Sequence, residues 1–167
     1  MEKRPRITHA RLHEVLRYDP ETGEFRWRQR VSKALQIDAV AGTVSTYYRC
    51  IRIDGRTYTA HHLAWFYITG EWASGLIDHR DGNPTNNRWD NLRPATSSEN
   101  SANRRRGRNN KSGFKGVFWC KRHGGWLARI QKDRRTRYLG RFATAEEAHE
   151  AYVAAARLLF GEFARTE

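Results

Sequence analysis

Asp78-His79-Arg80-Asp81-Gly82-Asn83, followed by Asn86, Asn87, Asn91-Leu92, Asn100 and Asn103, brings together the residue types needed to cut a phosphodiester. An acidic oxygen beside an imidazole, with a carboxamide about twenty residues further on, can hold one divalent ion against a phosphate while the imidazole takes a proton from water. Each part also has a plainer use: Asp78 could cap the following turn, and His79 could be a hydrogen-bonded surface histidine. The run of asparagines downstream turns the balance towards chemistry. Asn83, Asn86 and Asn87 are expected to shape the loop, since Asn and Gly tolerate turn conformations. Asn103 divides evenly between assisting the site and capping or meeting a phosphate. His61 and His62 lie beside an apolar helix face, where a histidine is usually structural, and His9, His13, His123 and His149 carry no assigned function.

Charge names the class of partner. The 167 residues hold 31 Lys plus Arg against 18 Asp plus Glu, a formal net charge of +13, and the pI is ≈ 10.4. A polyanion is the natural partner, because each phosphate neutralised releases counterions, and nucleic acid is favoured over a membrane. The excess is uneven, with 15 basic and 12 acidic side chains over residues 1–103 and 16 and 6 over residues 104–167. No apolar run approaches the roughly twenty residues of a membrane span. Met1-Glu2-Lys3-Arg4-Pro5-Arg6 leads into a polar helix instead of an apolar signal core, so no membrane partner and an intracellular, cytoplasmic location are expected. Cys50 and Cys120 are too few for a four-thiolate zinc site or a disulfide framework. No structural zinc is expected.

The elements that must position these residues follow from local signals. Thr8 caps a short helix bearing Leu12, Val15 and Leu16, ended by the turn residues Asp19-Pro20-Glu21-Thr22-Gly23. A strand follows around Glu24–Arg28. Tyr48–Ile53 and Arg56–Thr59 flank Asp54-Gly55, the signature of a hairpin with a type I′ turn. His61–Thr69 reads as a helix stopped by Gly70. Leu76–Asn103 reads as strand, polar loop, short strand and a helix starting near Thr96 or Ser97. Arg104–Gly113 has a linker's composition. Beyond it, Phe114–Trp119, Gly125–Gln131 and Thr136–Phe142 should form a meander. The capping box Thr144-Ala145-Glu146-Glu147 then opens a helix with the stripe Ala148, Tyr152, Ala155 and Leu159, ended by Gly161. That helix should cover one sheet face and leave Lys115, Leu127, Arg129, Gln131, Thr136 and Tyr138 on the other. Trp126 is expected in the core, with Trp119 equally divided between core and surface.

Ile77-Asp78-His79-Arg80-Asp81-Gly82-Asn83, Asn86-Asn87, Asn91-Leu92-Arg93 and Glu99-Asn100-Ser101-Ala102-Asn103 together resemble the HNH endonucleases, in their phage and intron homing branch. Ala60-His61-His62-Leu63-Ala64-Trp65 resembles the segment those enzymes place upstream, although His62 stands where Arg is more usual. The resemblance implies a ββα-metal fold with one Mg2+ or Mn2+ ion held by Asp78 and Asn100, His79 as general base, and products bearing a 5′-phosphate and a 3′-hydroxyl. Asn91 takes the place of the central Asn, implied to tie the loop and orient the histidine backbone.

Ser112-Gly113-Phe114-Lys115-Gly116-Val117, Gly125-Trp126-Leu127-Ala128-Arg129-Ile130, Tyr138-Leu139-Gly140-Arg141-Phe142 and Thr144-Ala145-Glu146-Glu147-Ala148 resemble the APETALA or ethylene-response-factor DNA-binding domain. This implies a three-stranded sheet entering the major groove, with Lys115, Arg129, Gln131 and Tyr138 at contact positions. Phe118 and Cys120 replace arginines and Arg129 replaces an acidic residue, so the plant target sequence does not transfer.

The expected architecture is α+β: a nuclease domain over 1–103 with a ββα-metal core, a basic linker over 104–111, and a three-stranded antiparallel sheet packed on one helix over 112–167. Arg104, Arg105, Arg106, Arg108 and Lys111 join the sheet residues as expected DNA contacts. The expected activity is metal-dependent DNA cleavage, nicking or double-stranded, by a monomer of phage or mobile-element origin. The alternatives are a DNA-binding transcriptional regulator on the same scaffold and an RNA-directed protein.

Overall fold

The computed structural model describes residues 6–30, 36–107, 109–122 and 124–166. The chain divides into two compact units, Met1–Pro94 and Ala95–Glu167. Among the described residues it is a mixed α and β protein of four helices and four small sheets, with no helix long and apolar enough to cross a membrane.

In the first unit, α1 (His9–Val15) starts where the Thr8 hydroxyl accepts the Arg11 N–H at 3.2 Å. The helix stops one residue sooner than its apolar spacing suggests. Leu16 is extended at φ −129° and begins β1 (Leu16–Tyr18), pairing with Trp27 of β2 (Phe25–Trp27). Its side chain is buried all the same, so tertiary pairing overrides a pattern that either element satisfies. Between the strands the Asp19 carboxylate accepts N–H bonds from Glu21 and Thr22, and Gly23 takes φ +74°.

Strands β3 (Thr43–Ser45), β4 (Tyr48–Ile53) and β5 (Arg56–Thr59) form an antiparallel sheet in that order. The β4–β5 turn has φ 47° at Asp54 and 78° at Gly55, both positive as a type I′ turn requires. All three β3 residues are exposed, so no apolar alternation marked this strand. Helix α2 (Ala60–Thr69) buries Leu63, Ala64 and Phe66 and ends at left-handed Gly70, whose N–H returns to the Phe66 carbonyl. Strands β6 (Leu76–His79) and β7 (Leu92–Ala95) then pair as a two-stranded sheet. Ile77 and Leu92 anchor it on the core that encloses Leu12, Leu16, Phe25, Ile51 and Leu63. Each such enclosed side chain contributes about 1.5–3 kcal/mol.

The second unit begins ahead of the expected boundary at 103, because α3 (Ser97–Ala102) packs within it. The helix carries the capping box of Thr96 and Glu99, and Ala102 is the residue it buries, joining Ile130, Tyr152, Ala156 and Phe160 in one cluster. Strands β8 (Val117–Cys120), β9 (Gly125–Lys132) and β10 (Arg135–Phe142) form the antiparallel meander, with a bulge between Tyr138 and Gly140. Helix α4 (Ala145–Phe160) starts at the Thr144–Glu147 capping box and stops at Gly161. Its buried stripe is Ala148, Tyr152, Ala156 and Phe160, while Ala155 and Leu159 pack at the edge of the core. Trp126 packs on the core and Trp119 is 48% exposed.

Candidate active site

A polar loop separates β6 from β7, and side-chain carboxamides hold it. Asn91, in a 3-10 turn over Trp89–Asn91, accepts the Asp81 N–H through Oδ1 at 3.0 Å and donates through Nδ2 to Asp81 Oδ1 and the Asn86 carbonyl. Its own carbonyl accepts the Arg80 N–H at 2.9 Å. Asp81 also accepts from the Asn83 N–H and the Asn86 amide. Partial burial acts to raise the Asp81 pKa, but the bonds from Asn83, Asn86 and Asn91 outweigh it and hold the carboxyl below its ordinary range. Asn91 therefore ties the far end of the loop to Arg80 and Asp81, the two residues that follow His79.

His79 closes β6 and is 6% exposed. Its Nε2 lies 3.3 Å from Asn87 Oδ1, while Asn87 Nδ2 donates to the Thr85 carbonyl at 3.1 Å. The second bond fixes the amide orientation, so the oxygen faces the ring and Nε2 must be the protonated nitrogen. Nδ1 is then the basic atom. Burial depresses the His79 pKa, against the opposing pull of the Asn87 bond and of Asp81 and Asp78. The His61 ring lies 5.1 Å from His79, and that of Tyr48 6.4 Å. His61 is itself buried, with Nδ1 lacking a hydrogen-bond partner. Burial, then His62 and His79, lower its pKa to about 3. His62 accepts or donates at 2.7 Å with the Thr59 hydroxyl, and burial lowers its pKa as well.

The N-terminal hairpin supports this loop from behind. The Tyr18 hydroxyl donates to the Asn87 carbonyl at 2.7 Å, and the Trp89 N–H donates to the Pro20 carbonyl at 3.0 Å. Gly23 approaches so closely that a Cβ would stand 2.4 Å from the Arg88 nitrogen. Asp78, 4% exposed, is ion-paired with Arg93 of β7: both Nε and Nη2 lie 2.9 Å from Asp78 Oδ2. A carboxylate offers about four lone-pair positions, so the arginine and a hard cation can share it. Asn100 lies on α3 in the second unit. Among the described residues no group of three or more His, Cys, Asp and Glu could hold a metal ion; a carboxylate with a carboxamide is a sparser, all-oxygen donor set that suits Mg2+ or Mn2+.

In the second unit, cross-strand pairs Arg129–Tyr138, Gln131–Thr136 and Leu127–Arg141 share the sheet face turned from α4. Arg129, Gln131, Thr136, Tyr138 and Arg141 are exposed, and the Arg129 guanidinium sits 4.8 Å over the Phe118 ring. Lys115 departs from the expectation of a DNA contact. Its ammonium donates to the carbonyls of Ala102, Arg104 and Arg165, so it closes the C-terminal end of α3, and burial, then Arg165, lower its pKa to about 8. Arg104, Arg105, Arg106 and Lys111 are exposed; Arg108 lies outside the described residues. The linker's far end is folded: the Ser112 hydroxyl and Asn110 amide bond the Phe114 carbonyl.

Tyr18, Gly23, Tyr48 and Arg93 were not among the expected site residues. Tertiary contacts bring Tyr18 and Gly23 to the loop, Tyr48 to His79 and Arg93 to Asp78, and neither the turn signature that includes Gly23 nor the run that includes Arg93 names these partners.

Residues 58–102 match the family model of the HNH endonucleases. Over 71 residues the chain is 41% identical to Protein 3.8 of Escherichia phage T7, a stretch covering 42% of this chain and 59% of that relative. The chain thus spans about three-fifths of the length of the curated relative it matches. No solved structure matches.

Proposed function

We propose that the segment matching the HNH endonucleases works as one, and that this chain is a metal-dependent endonuclease hydrolysing phosphodiester bonds in duplex DNA. The reading rests chiefly on His79, a buried imidazole whose Nε2 is engaged by Asn87 and whose Nδ1 is the basic atom. In this role Nδ1 takes the proton of the attacking water, and Asn87 keeps the ring in the tautomer that can do so. Asn91 holds the loop so that the ring keeps its place. Asp78 and Asn100 are the metal ligands of this proposal, within the ββα-metal fold that the resemblance implies; a divalent ion held by them would supply charge for the phosphate oxygens. Arg93 keeps Asp78 in position.

The exposed sheet face with Arg129, Gln131, Tyr138 and Arg141, together with Arg104, Arg105, Arg106, Arg108 and Lys111, grips the duplex in this reading. An APETALA-like mode of groove binding and a homing-type substrate belong to the same proposal. One active site per chain implies nicking by a monomer.

The test is conversion of supercoiled plasmid to nicked circle with Mg2+ or Mn2+, comparing wild type, His79→Ala and an EDTA control. Loss of nicking in both controls supports the assignment. DNA binding without cleavage, on substrates that include the chain's own flanking sequences, would favour a regulator built on the same scaffold.

A further inference from the structure

Helices α1 and α2 bring together three atoms that no combination of protons satisfies. His9 and His13 are one helical turn apart on α1, which sets both imidazoles on one face. Their Nε2 atoms lie 3.0 Å from each other, and 3.0 Å and 3.2 Å from the Tyr67 carbonyl oxygen. The oxygen can only accept. If both nitrogens are protonated, both donate to it, and two N–H groups face each other across the short N···N contact. If one is protonated, the other turns a lone pair towards the carbonyl oxygen. Either way one of the three contacts has no proton to bridge it.

A single cation resolves all three. A position about 2.1 Å from each atom, the usual zinc bond length to nitrogen or oxygen, exists roughly 1 Å out of their plane. Two histidines at i and i+4 on one helix face are an established way to present imidazoles to a transition metal. The carbonyl adds its own attraction: Tyr67 is in the last turn of α2, where carbonyls lack an intrahelical partner and the helix dipole is negative. The rings are further held by their surroundings, His13 stacked at 3.7 Å on Tyr67 and His9 edge-on to Phe66 at 5.4 Å.

We propose that His9, His13 and the Tyr67 carbonyl form a binding site for a late first-row divalent ion, Zn2+ being the probe. The site uses neither Asp78 nor Asn100, and its imidazole donors distinguish it from an all-oxygen site for Mg2+. Three protein ligands leave a fourth position to solvent. The bound ion staples α1 to the C-terminal turn of α2, and so steadies the helix from which β1 and Tyr18 continue. It is independent of the nuclease reading.

The experiment uses the full chain without an affinity tag, stripped with EDTA, dialysed and titrated with Zn2+ by calorimetry, with thermal melts in parallel. Wild type is compared with His13→Gln and His9→Gln. Glutamine keeps an N–H donor for the Tyr67 carbonyl, so a purely capping role survives the change whereas the chelate does not. Wild type should bind one more equivalent of Zn2+ than either variant and gain several degrees in Tm that the variants lose. Equal stoichiometry and equal shifts in all three would overturn the proposal. Ring-nitrogen NMR of wild type needs no variant to fold: the Nε2 resonances of His9 and His13 should move on adding Zn2+, and unmoved resonances would overturn it equally.

Discussion

His79 and Asn87 meet through ring Nε2 and carboxamide Oδ1 at 3.3 Å, and that contact decides which ring nitrogen is basic. Asn87→Ala removes the acceptor and frees the ring to adopt either tautomer. We expect kcat for plasmid nicking to fall about 10- to 100-fold, the usual scale for a residue that orients a reacting group, with DNA affinity unchanged. Since the Asn87 bond favours the charged ring, its loss should also move the acid limb of the rate profile to lower pH. A change in DNA affinity alone would argue against a positioning role.

The pH dependence follows from two buried histidines. In the proposed role His79 can act as a base only when neutral, and burial holds its pKa below the ordinary 6.5. Activity should stay level through neutrality and fall only under more acidic conditions, as initial rates across pH will tell. His61 gives a stability effect. Its folded pKa of about 3 lies below the 6.5 of a free imidazole, so between these values the unfolded chain binds more protons. Stability should therefore be complete above about pH 6.5 and erode as pH falls towards 3. Urea unfolding at a series of pH values should show a shallower acid slope for His61→Leu than for wild type.

Gly23 tests the support given by the N-terminal hairpin. Its φ of +74°, and backbone only 2.4 Å from where a side-chain carbon would stand, leave no space for alanine. Gly23→Ala should cost about 1–3 kcal/mol from the left-handed conformation alone, with further loss from displacement of Asn87 and Arg88. Chemical denaturation measures the first effect and nicking rates the second; full activity in the variant would detach the hairpin from the site.

Arg93 and Asp78 are both about 5% exposed as side chains. Arg93→Ala strands a buried carboxylate and should destabilise the chain by about 3–5 kcal/mol, read from the urea midpoint. Arg93→Lys retains the charge without the planar fork and should recover only part of that loss.

The proposed DNA-binding face is separable by its salt dependence. Each phosphate contact removed should flatten the slope of log affinity against log salt by about 0.9. Neutralising Arg129 and Arg141, or Arg104, Arg105, Arg106 and Arg108, should do so; Lys115→Met should leave the slope unchanged, because that ammonium is spent on three carbonyls.

Much of the local structure was legible because its causes are local. Thr8, Thr96 and Thr144 cap helices through their own hydroxyls, and Asp54-Gly55 turns a hairpin because both residues accept positive φ. Leu16 shows the limit. Burial suits it in a helix or a strand, and only pairing with Trp27 chooses. Strand β3 was invisible for a related reason, having no buried residue to set an alternation.

By itself, the sequence determined the residue types of the candidate site, the basic character of the chain and where most turns and helix ends fall, since these depend on neighbours within a few positions. Tertiary structure alone decided that Asn87 selects the His79 tautomer, that Arg93 pairs with Asp78, that Tyr18 and Gly23 support the loop, and that Lys115 turns inward. Each joins groups distant in the chain, on opposing strands, or on a strand and the loop that folds back over it. Their distances are set by how the core packs, and no spacing along the sequence encodes that.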